Sequence, residues 1–190
     1  MTDIVVLAEE PSGRIIAECL AEKLDLGGRT LCLEHQGKSD LERSFPRKIA
    51  SWGAVRPPRF VVMRDNDGAD CLRLKRQLGD LVPDRALDRV KIRIVVQELE
   101  SWYFGDLDAV WKAGLVSEIS LARHKDKAAL RNPDEIRHAK RTFKTKIVPG
   151  GQIELSRSIG PHLSLTENRS KSFHAFIGAL RWAAHEPAAP

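Results

Sequence analysis

Three places in the chain set carboxylates directly after a short apolar run. Glu9-Glu10 follow residues 4–7, Asp65-Asn66-Asp67 and Asp70 follow residues 60–63, and Glu98-Leu99-Glu100 follow residues 90–96. Carboxylates gathered at one place repel each other and raise each other's pKa, and a divalent cation removes that penalty. Mg²⁺ or Mn²⁺ takes such oxygen ligands, usually one or two carboxylates with waters and a substrate phosphate. The chemistry to expect is metal-assisted phosphoryl transfer or phosphodiester hydrolysis, where the metal polarises the phosphoryl oxygen and generates hydroxide. Each acid taken singly reads more readily as a helix cap or first-turn residue. Asp67 and Asp70 are the clearest cases, since either could cap the helix after them. The coincidence of three strand ends is what favours a site. Rival motifs do not fit. An EF-hand loop starting at Asp65 would put Ala69, Asp70 and Arg76 where a ligand, a glycine and a glutamate belong, and GxxxxGK[ST], GxSxG and HExxH are absent.

These acids are useful only if the elements bring them together. Residues 4–7, 30–33, 60–63 and 90–96 read as strands, and residues 13–24 and 70–81 repeat apolar positions at helical spacing. Gly27-Gly28 stops the first helix, and Ser39 could cap a second one running to Trp52, with Pro46 expected to bend or interrupt it. Alternation of Lys91 and Arg93 with Ile92 and Ile94 suits a sheet edge. The order β-α-β-α-β-α-β implies an α/β fold: an open, Rossmann-like sheet of about four mainly parallel strands flanked by helices. Ligands of such sheets lie beyond the carboxyl ends of the strands, where all three acidic groups would emerge. Residues 107–113, 119–130 and 134–142 read as short helices, and a last helix, capped by Asn168 or Ser170, carries Phe173, Phe176, Ile177, Leu180 and Trp182 back onto the sheet. The expected organisation is an α/β core over 1–106 and a helical extension over 107–190 in one compact unit, with a frayed tail at 186–190.

Composition narrows the class. With 190 residues, 42% apolar and 30% charged, the chain can bury a core, and no apolar run is long enough to span a membrane. The N-terminus lacks a signal-peptide pattern, and Cys19, Cys32 and Cys71 are odd in number and widely spaced, so a reducing cytoplasm is expected. The net charge of +5 is mild, but nine basic residues fall between 121 and 147, against Asp126, Asp134 and Glu135. Arg123, Lys127, Arg137, Lys140, Arg141 and Lys144 in that stretch, with Arg169 beyond it, could track a nucleic-acid backbone, although solvated helix faces explain such runs as often. Lys127 could also neutralise charge on a reacting phosphate. Arg64 can pair with the acids beside it, and His35 reads more readily as structural than as ligand or base. Trp102 and Tyr103 could stack on bases, but core anchors are the better reading.

VVLAEEPSG resembles the Toprim strand-turn motif with its glutamate, and VVMRDNDG the Toprim strand followed by Asp-x-Asp. By that match Glu9, Asp65 and Asp67 take the motif positions. Over nearly its whole length the chain is similar to the bacterial family called domain of unknown function 4276, through EEPS, HQGKSDL (35–41), RDNDG, QELESWYFGDLDAV (97–110), DKAALRNPDEI (126–136), GPHL and NRSKSF. The resemblance implies a Toprim-like fold and kinship with the overcoming-lysogenization-defect nucleases, which cut DNA with two divalent metals. There a further glutamate after the fourth strand joins the site, where Glu98 and Glu100 stand here. It also implies a phage-defence or mobile-element setting beside ABC- or AAA-type ATPases. Glu10, and Gly13 or Arg14, depart from the Toprim pattern of a glycine and a following acid. The resulting expectation is a Mg²⁺- or Mn²⁺-dependent nuclease, with DNA favoured over RNA. Glu9, Asp65, Asp67 and Glu100 are its metal ligands and catalytic set, joined by Lys127, with Glu98 as a secondary ligand. The alternatives are a conditionally active or non-catalytic subunit governed by a separate ATPase, and a receiver-like phosphoacceptor.

Overall fold

A computed structural model describes residues 2–53, 55–125 and 127–184. Four parallel strands, β1 (Ile4–Ala8), β2 (Thr30–Glu34), β3 (Arg59–Asp65) and β4 (Val90–Val95), form one open sheet in the order β2-β1-β3-β4. β1 and β3 lie in the middle, so β1 is buried throughout and reads as a continuous apolar run. Their side chains divide between two cores. Ile4, Val6, Val61 and Met63 enter one, and Val5, Leu7, Phe60 and Val62 enter the other. β4 is the edge strand its sequence suggested. Its basic residues are engaged rather than idle, for Lys91 stacks over Trp182 and Arg93 Nε donates to the Ala175 carbonyl.

Helix α1 (Pro11–Lys23) covers the first face on the way from β1 to β2. The chain then crosses to the second face, where α2 (Lys38–Ser51) leads to β3 and α3 (Cys71–Gly79) leads to β4. The winding direction therefore reverses between β1 and β3, and the carboxyl ends of those two strands flank the switch point where open α/β sheets bind ligands. Pro46 does not interrupt α2. Leu41, Phe45 and Ile49 anchor the helix to the core on both sides of it, and one missing backbone donor is tolerated. Ser39 does not cap that helix. Gly37, at φ 87°, stands at the cap, and Asp40 Oδ2 accepts the Gln36 N–H at 3.1 Å. Asp70 does cap α3, accepting the Arg73 N–H at 2.6 Å.

The remaining helices are α4 (Glu100–Gly105), α5 (Leu107–Lys112), α6 (Glu118–Lys125), α7 (Ala139–Lys146), α8 (Gln152–Ile159) and α9 (Lys171–Ala184). The helix expected over 134–142 is instead a 3-10 turn at Pro133–Glu135 followed by α7. His138 sits in the left-handed region at φ 52° between them, which forbids a continuous helix. The helix expected over 119–130 stops at Lys125, with a separate 3-10 turn at Ala128–Leu130; Asp126 and the tail at 186–190 lie outside the described residues. α9 packs back on β4, β3 and β1, as its apolar face predicts. One buried polar chain ties the late segments together. Ser170 Oγ caps α9 at the Phe173 N–H (3.1 Å) and donates to Asp134 Oδ1 (2.6 Å), while Ser172 Oγ accepts from Trp102 Nε1 (2.9 Å). Asn168 Nδ2 donates to the Trp102 carbonyl at 2.9 Å. The family-like segments ESWYF, PDEI and NRSKSF thus meet in a single network that fixes α4.

Candidate functional site

Parallel strand direction delivers the acids to one rim. Glu9 is the first residue past β1, Asp65 is the last of β3, and Glu100 opens α4 just beyond β4. The Asp65 N–H donates to Glu9 Oε2 at 3.1 Å, so these two side chains share the switch point. Between them is a cleft lined by Glu9, Glu10, Ser12, Gly13, Met63, Asp65 and Leu99, with a volume of about 10 Å³, near the size of one water or one ion. Gly13 lets α1 start this close to the sheet, since a Cβ there would stand 3.3 Å from the Met63 methyl.

The electrostatics show how closely the acids crowd. Asp65 is raised well above the usual carboxylate range, first by burial and then by the charges of Glu9, Glu100, Asp67 and Glu10. Glu9 is raised by burial, against the opposing pull of Arg64 and of the Asp65 N–H. Glu100, only 2% exposed, is pushed up to about 7, chiefly by burial. Gln152 Nε2 donates to its Oε1 at 3.3 Å, whereas its Oε2 is buried without a hydrogen-bond partner among the described residues. A buried carboxylate oxygen left unsatisfied is costly and calls for a donor or a cation.

The resident cation is Arg64, 6% exposed. Its Nε lies 3.2 Å from Glu42 Oε1 and 3.9 Å from Glu9 Oε2, and its Nη1 lies 3.5 Å from Asp67 Oδ2 and bonds the Asp65 carbonyl. Asp67 sits in a tight turn at φ 49°, pinned by its N–H to the Gln97 carbonyl, and is half-exposed. It does not cap α3. Among the described residues no group of three or more His, Cys, Asp or Glu side chains stands in metal-holding geometry. The donor set is nonetheless all carboxylate, with one orphaned oxygen, and that chemistry fits a hard divalent cation such as Mg²⁺ or Mn²⁺.

Glu98 stands near enough to Glu100 for its charge to raise that carboxyl. Its Oε2 accepts the Lys140 N–H at 3.0 Å at the start of α7, beside a cleft of about 510 Å³ lined by Asp67, Gly68, Gln97, Glu98, Arg137 and His138. Lys127 is exposed at the head of the 3-10 turn, and among the described residues no hydrogen bond or ion pair joins it to the carboxylates. Arg123 on α6, Arg137, and Lys140, Arg141 and Lys144 on α7 are exposed. Arg169 is committed differently, for its guanidinium caps α4 at the Phe104 carbonyl (2.9 Å) and the Gly105 carbonyl (3.5 Å). Trp102 and Tyr103, 0% and 1% exposed, are core anchors and present no face to a base. His35 is buried and structural, with Nδ1 on the Ala8 carbonyl (2.8 Å) and Nε2 on Lys48 Nζ (2.7 Å).

Sequence reasoning did not anticipate Glu42, Gln152 or Lys38 at this rim. Lys38 Nζ lies 3.4 Å from Asp67 Oδ2, and the only hint was its place in the HQGKSDL stretch.

The fold is shared with two solved structures from different organisms. The C-terminal region of the Xanthomonas campestris pv. campestris OLD protein is 14% identical, with a TM-score of 0.57 and 96% of each chain covered. The C-terminal region of the Burkholderia pseudomallei OLD protein is also 14% identical, with a TM-score of 0.57, covering 97% of this chain and 100% of that one. No curated protein matches the sequence. No described helix is long and apolar enough to cross a membrane. The sheet is therefore Toprim-like, and the family described as "Domain of unknown function (DUF4276)" matches residues 20–181. With most of its length inside that match, the chain belongs to the DUF4276 family.

Proposed function

We propose that this chain is a divalent-cation-dependent Toprim nuclease that hydrolyses nucleic-acid phosphodiesters, DNA in preference to RNA. Glu9, Asp65 and Glu100 would hold Mg²⁺ or Mn²⁺, with Asp67 on the solvent side. A cation held there polarises a phosphoryl oxygen and lowers the pKa of water toward neutrality. The chain's own groups prepare for it. The Asp65 N–H orients Glu9, Gln152 orients Glu100, and Arg64 offsets the acids while the site carries no metal. Leu99 and Met63 line the cleft with apolar surface. Arg123, Lys127, Arg137, Lys140, Arg141 and Lys144 would meet the phosphate backbone. Arg169 would contribute by fixing α4, through the carbonyls it caps.

The observation that carries this reading is Asp65, whose carboxylate feels acids from three strand ends at the switch point of the sheet. The OLD C-terminal regions support it through their shared fold. The test is cleavage of duplex DNA with Mn²⁺ by the wild type and by Asp65→Ala, with a loss of roughly 100-fold or more expected in the variant. Equal cleavage by both would mark a contaminant. No cleavage of DNA or RNA with either metal, alone or with a co-encoded ATPase, would remove the claim.

One observation favours a conditional form of the same reading. Arg64 already sits among Glu9, Glu42 and Asp67, so the cluster is partly neutralised without metal. A subunit switched on by a partner ATPase would use such a resting state. Copurification from the native operon, with activity appearing only in the complex, distinguishes it from a nuclease active alone.

A further inference from the structure

The segment joining β2 to α2, residues 35–38, is docked on the backbone at both sides of Glu9. His35 Nδ1 holds the Ala8 carbonyl at 2.8 Å, and the Gly37 N–H donates to the Glu9 carbonyl at 3.0 Å. Lys48 stands at His35 Nε2, so Nε2 is the acceptor and Nδ1 carries the proton. Gly37 turns at φ 87°, and the next residue, Lys38, opens α2 facing the acidic rim. Its ammonium has one partner among the described residues, Asp67 Oδ2 at 3.4 Å, and both side chains are half-exposed. The other cation on Asp67 differs. Arg64 is buried and also bonded to Glu42 and the Asp65 carbonyl, so it is held in place whatever Asp67 does.

We propose that Lys38 is a phosphodiester-contacting residue, parked on Asp67 in the metal-free protein and transferred to a backbone phosphate when Asp67 turns to the cation. The proposal rests on the metal-dependent reading of the site. Three features carry it: the lysine follows a loop hydrogen-bonded to the Ala8 and Glu9 carbonyls, it has a single partner among the described residues, and that partner is one of the acids assigned to the cation. An ammonium is also a compact point charge on a flexible stem, suited to such a swap. Lys127, by comparison, has no hydrogen bond or ion pair with these carboxylates among the described residues.

The swap has a two-sided signature that a merely structural lysine lacks. Removing the charge frees Asp67, so Lys38→Gln should bind Mn²⁺ a few-fold more tightly, read by titration calorimetry on protein without DNA. The same variant should bind a short fluorescein-labelled duplex several-fold more weakly in Ca²⁺, with its salt slope reduced by about 0.9, one phosphate's worth of counterions. Lys38→Arg should restore the duplex affinity and slope. Without divalent cation the two proteins should bind duplex alike, because the wild-type lysine is then parked. If the wild type binds Mn²⁺ and duplex but Lys38→Gln leaves both affinities and the slope unchanged, the role assigned to Lys38 is wrong and the metal reading stands. Weaker Mn²⁺ binding in Lys38→Gln overturns it too. If the wild type binds no Mn²⁺ at all, both readings fall together.

Discussion

At the scale of single residues, Asp65 carries an electrostatic burden that the metal-binding proposal explains and stability alone does not. Its carboxylate is raised well above the usual range by burial and by four acidic neighbours, so ionising it near neutral pH strains the metal-free protein. Asp65→Asn keeps the backbone N–H that orients Glu9 and removes one charge. It should raise the metal-free melting temperature by about 2–4 °C, for a gain of about 1 kcal/mol, and should abolish the stabilisation by Mn²⁺ that the proposal expects of the wild type. Differential scanning calorimetry with and without Mn²⁺ decides it, and a lower melting temperature would show that Asp65 is structural. His35 titrates in the opposite sense. Burial, and Lys48 beside it, hold its pKa below 6.5, while the bond to the Ala8 carbonyl resists that shift. The unfolded chain therefore takes up a proton below 6.5 that the folded chain refuses. The stability from neutral His35 is present above that pH and is lost as pH falls toward the folded value. The acidic cluster has the opposite dependence, so the comparison must be made between variants. From about pH 7 to about pH 5.5, His35→Gln should lose less of its urea midpoint than the wild type. Equal losses would rule His35 out as the source.

At the scale of elements, α4 and α9 depend on one another through few atoms. Ser170 Oγ both caps α9 and reaches Asp134, so Ser170→Ala should cost about 1–2 kcal/mol in urea unfolding. Ser170→Thr should recover much of that loss, and an unchanged midpoint in Ser170→Ala would show that the network carries no weight. These elements also show where sequence stops being informative. The strands were legible because apolar runs ending in acids or turns have few other readings, and β4's basic alternation marked an edge. α4 was not, because all six of its residues are buried and no polar face gives it a period. The break before α7 was hidden because His138 in a left-handed conformation has no compositional signature. The acids Glu9, Asp65 and Glu100 were legible as strand ends. Arg64 was visible as their neighbour, but Glu42, which shares its guanidinium, comes from α2, a different element far along the chain. Glu98 was grouped with Glu100 as a second acid after the fourth strand, and its hydrogen bond to the Lys140 N–H could not be read from the sequence because α7 lies some forty residues on.

At the scale of the whole molecule, charge is segregated. The switch-point rim is acidic, and α7 exposes Lys140, Arg141, Lys144 and Lys146. A polyanion would be drawn to that helix rather than to the acidic rim. Replacing Arg141 and Lys144 together by Gln should weaken duplex binding and reduce its salt slope by about 1.8 if each meets one phosphate, with little change in melting temperature. An unchanged slope would move the nucleic-acid path off α7. The buried chain from Trp102 through Ser172, Asp134 and Ser170 has a bearing on timing. Glu100 belongs to α4, and α4 is fixed by side chains that the ribosome adds some seventy residues later. A nascent chain halted before Ser170 already holds Glu9, Asp65 and the α7 and α8 residues that touch α4, but lacks the Ser170 and Ser172 hydroxyls that join α4 to α9. Polypeptide still threaded through the exit tunnel would therefore carry Glu100 on a helix not yet tied to the sheet through α9, until that last helix emerges and docks.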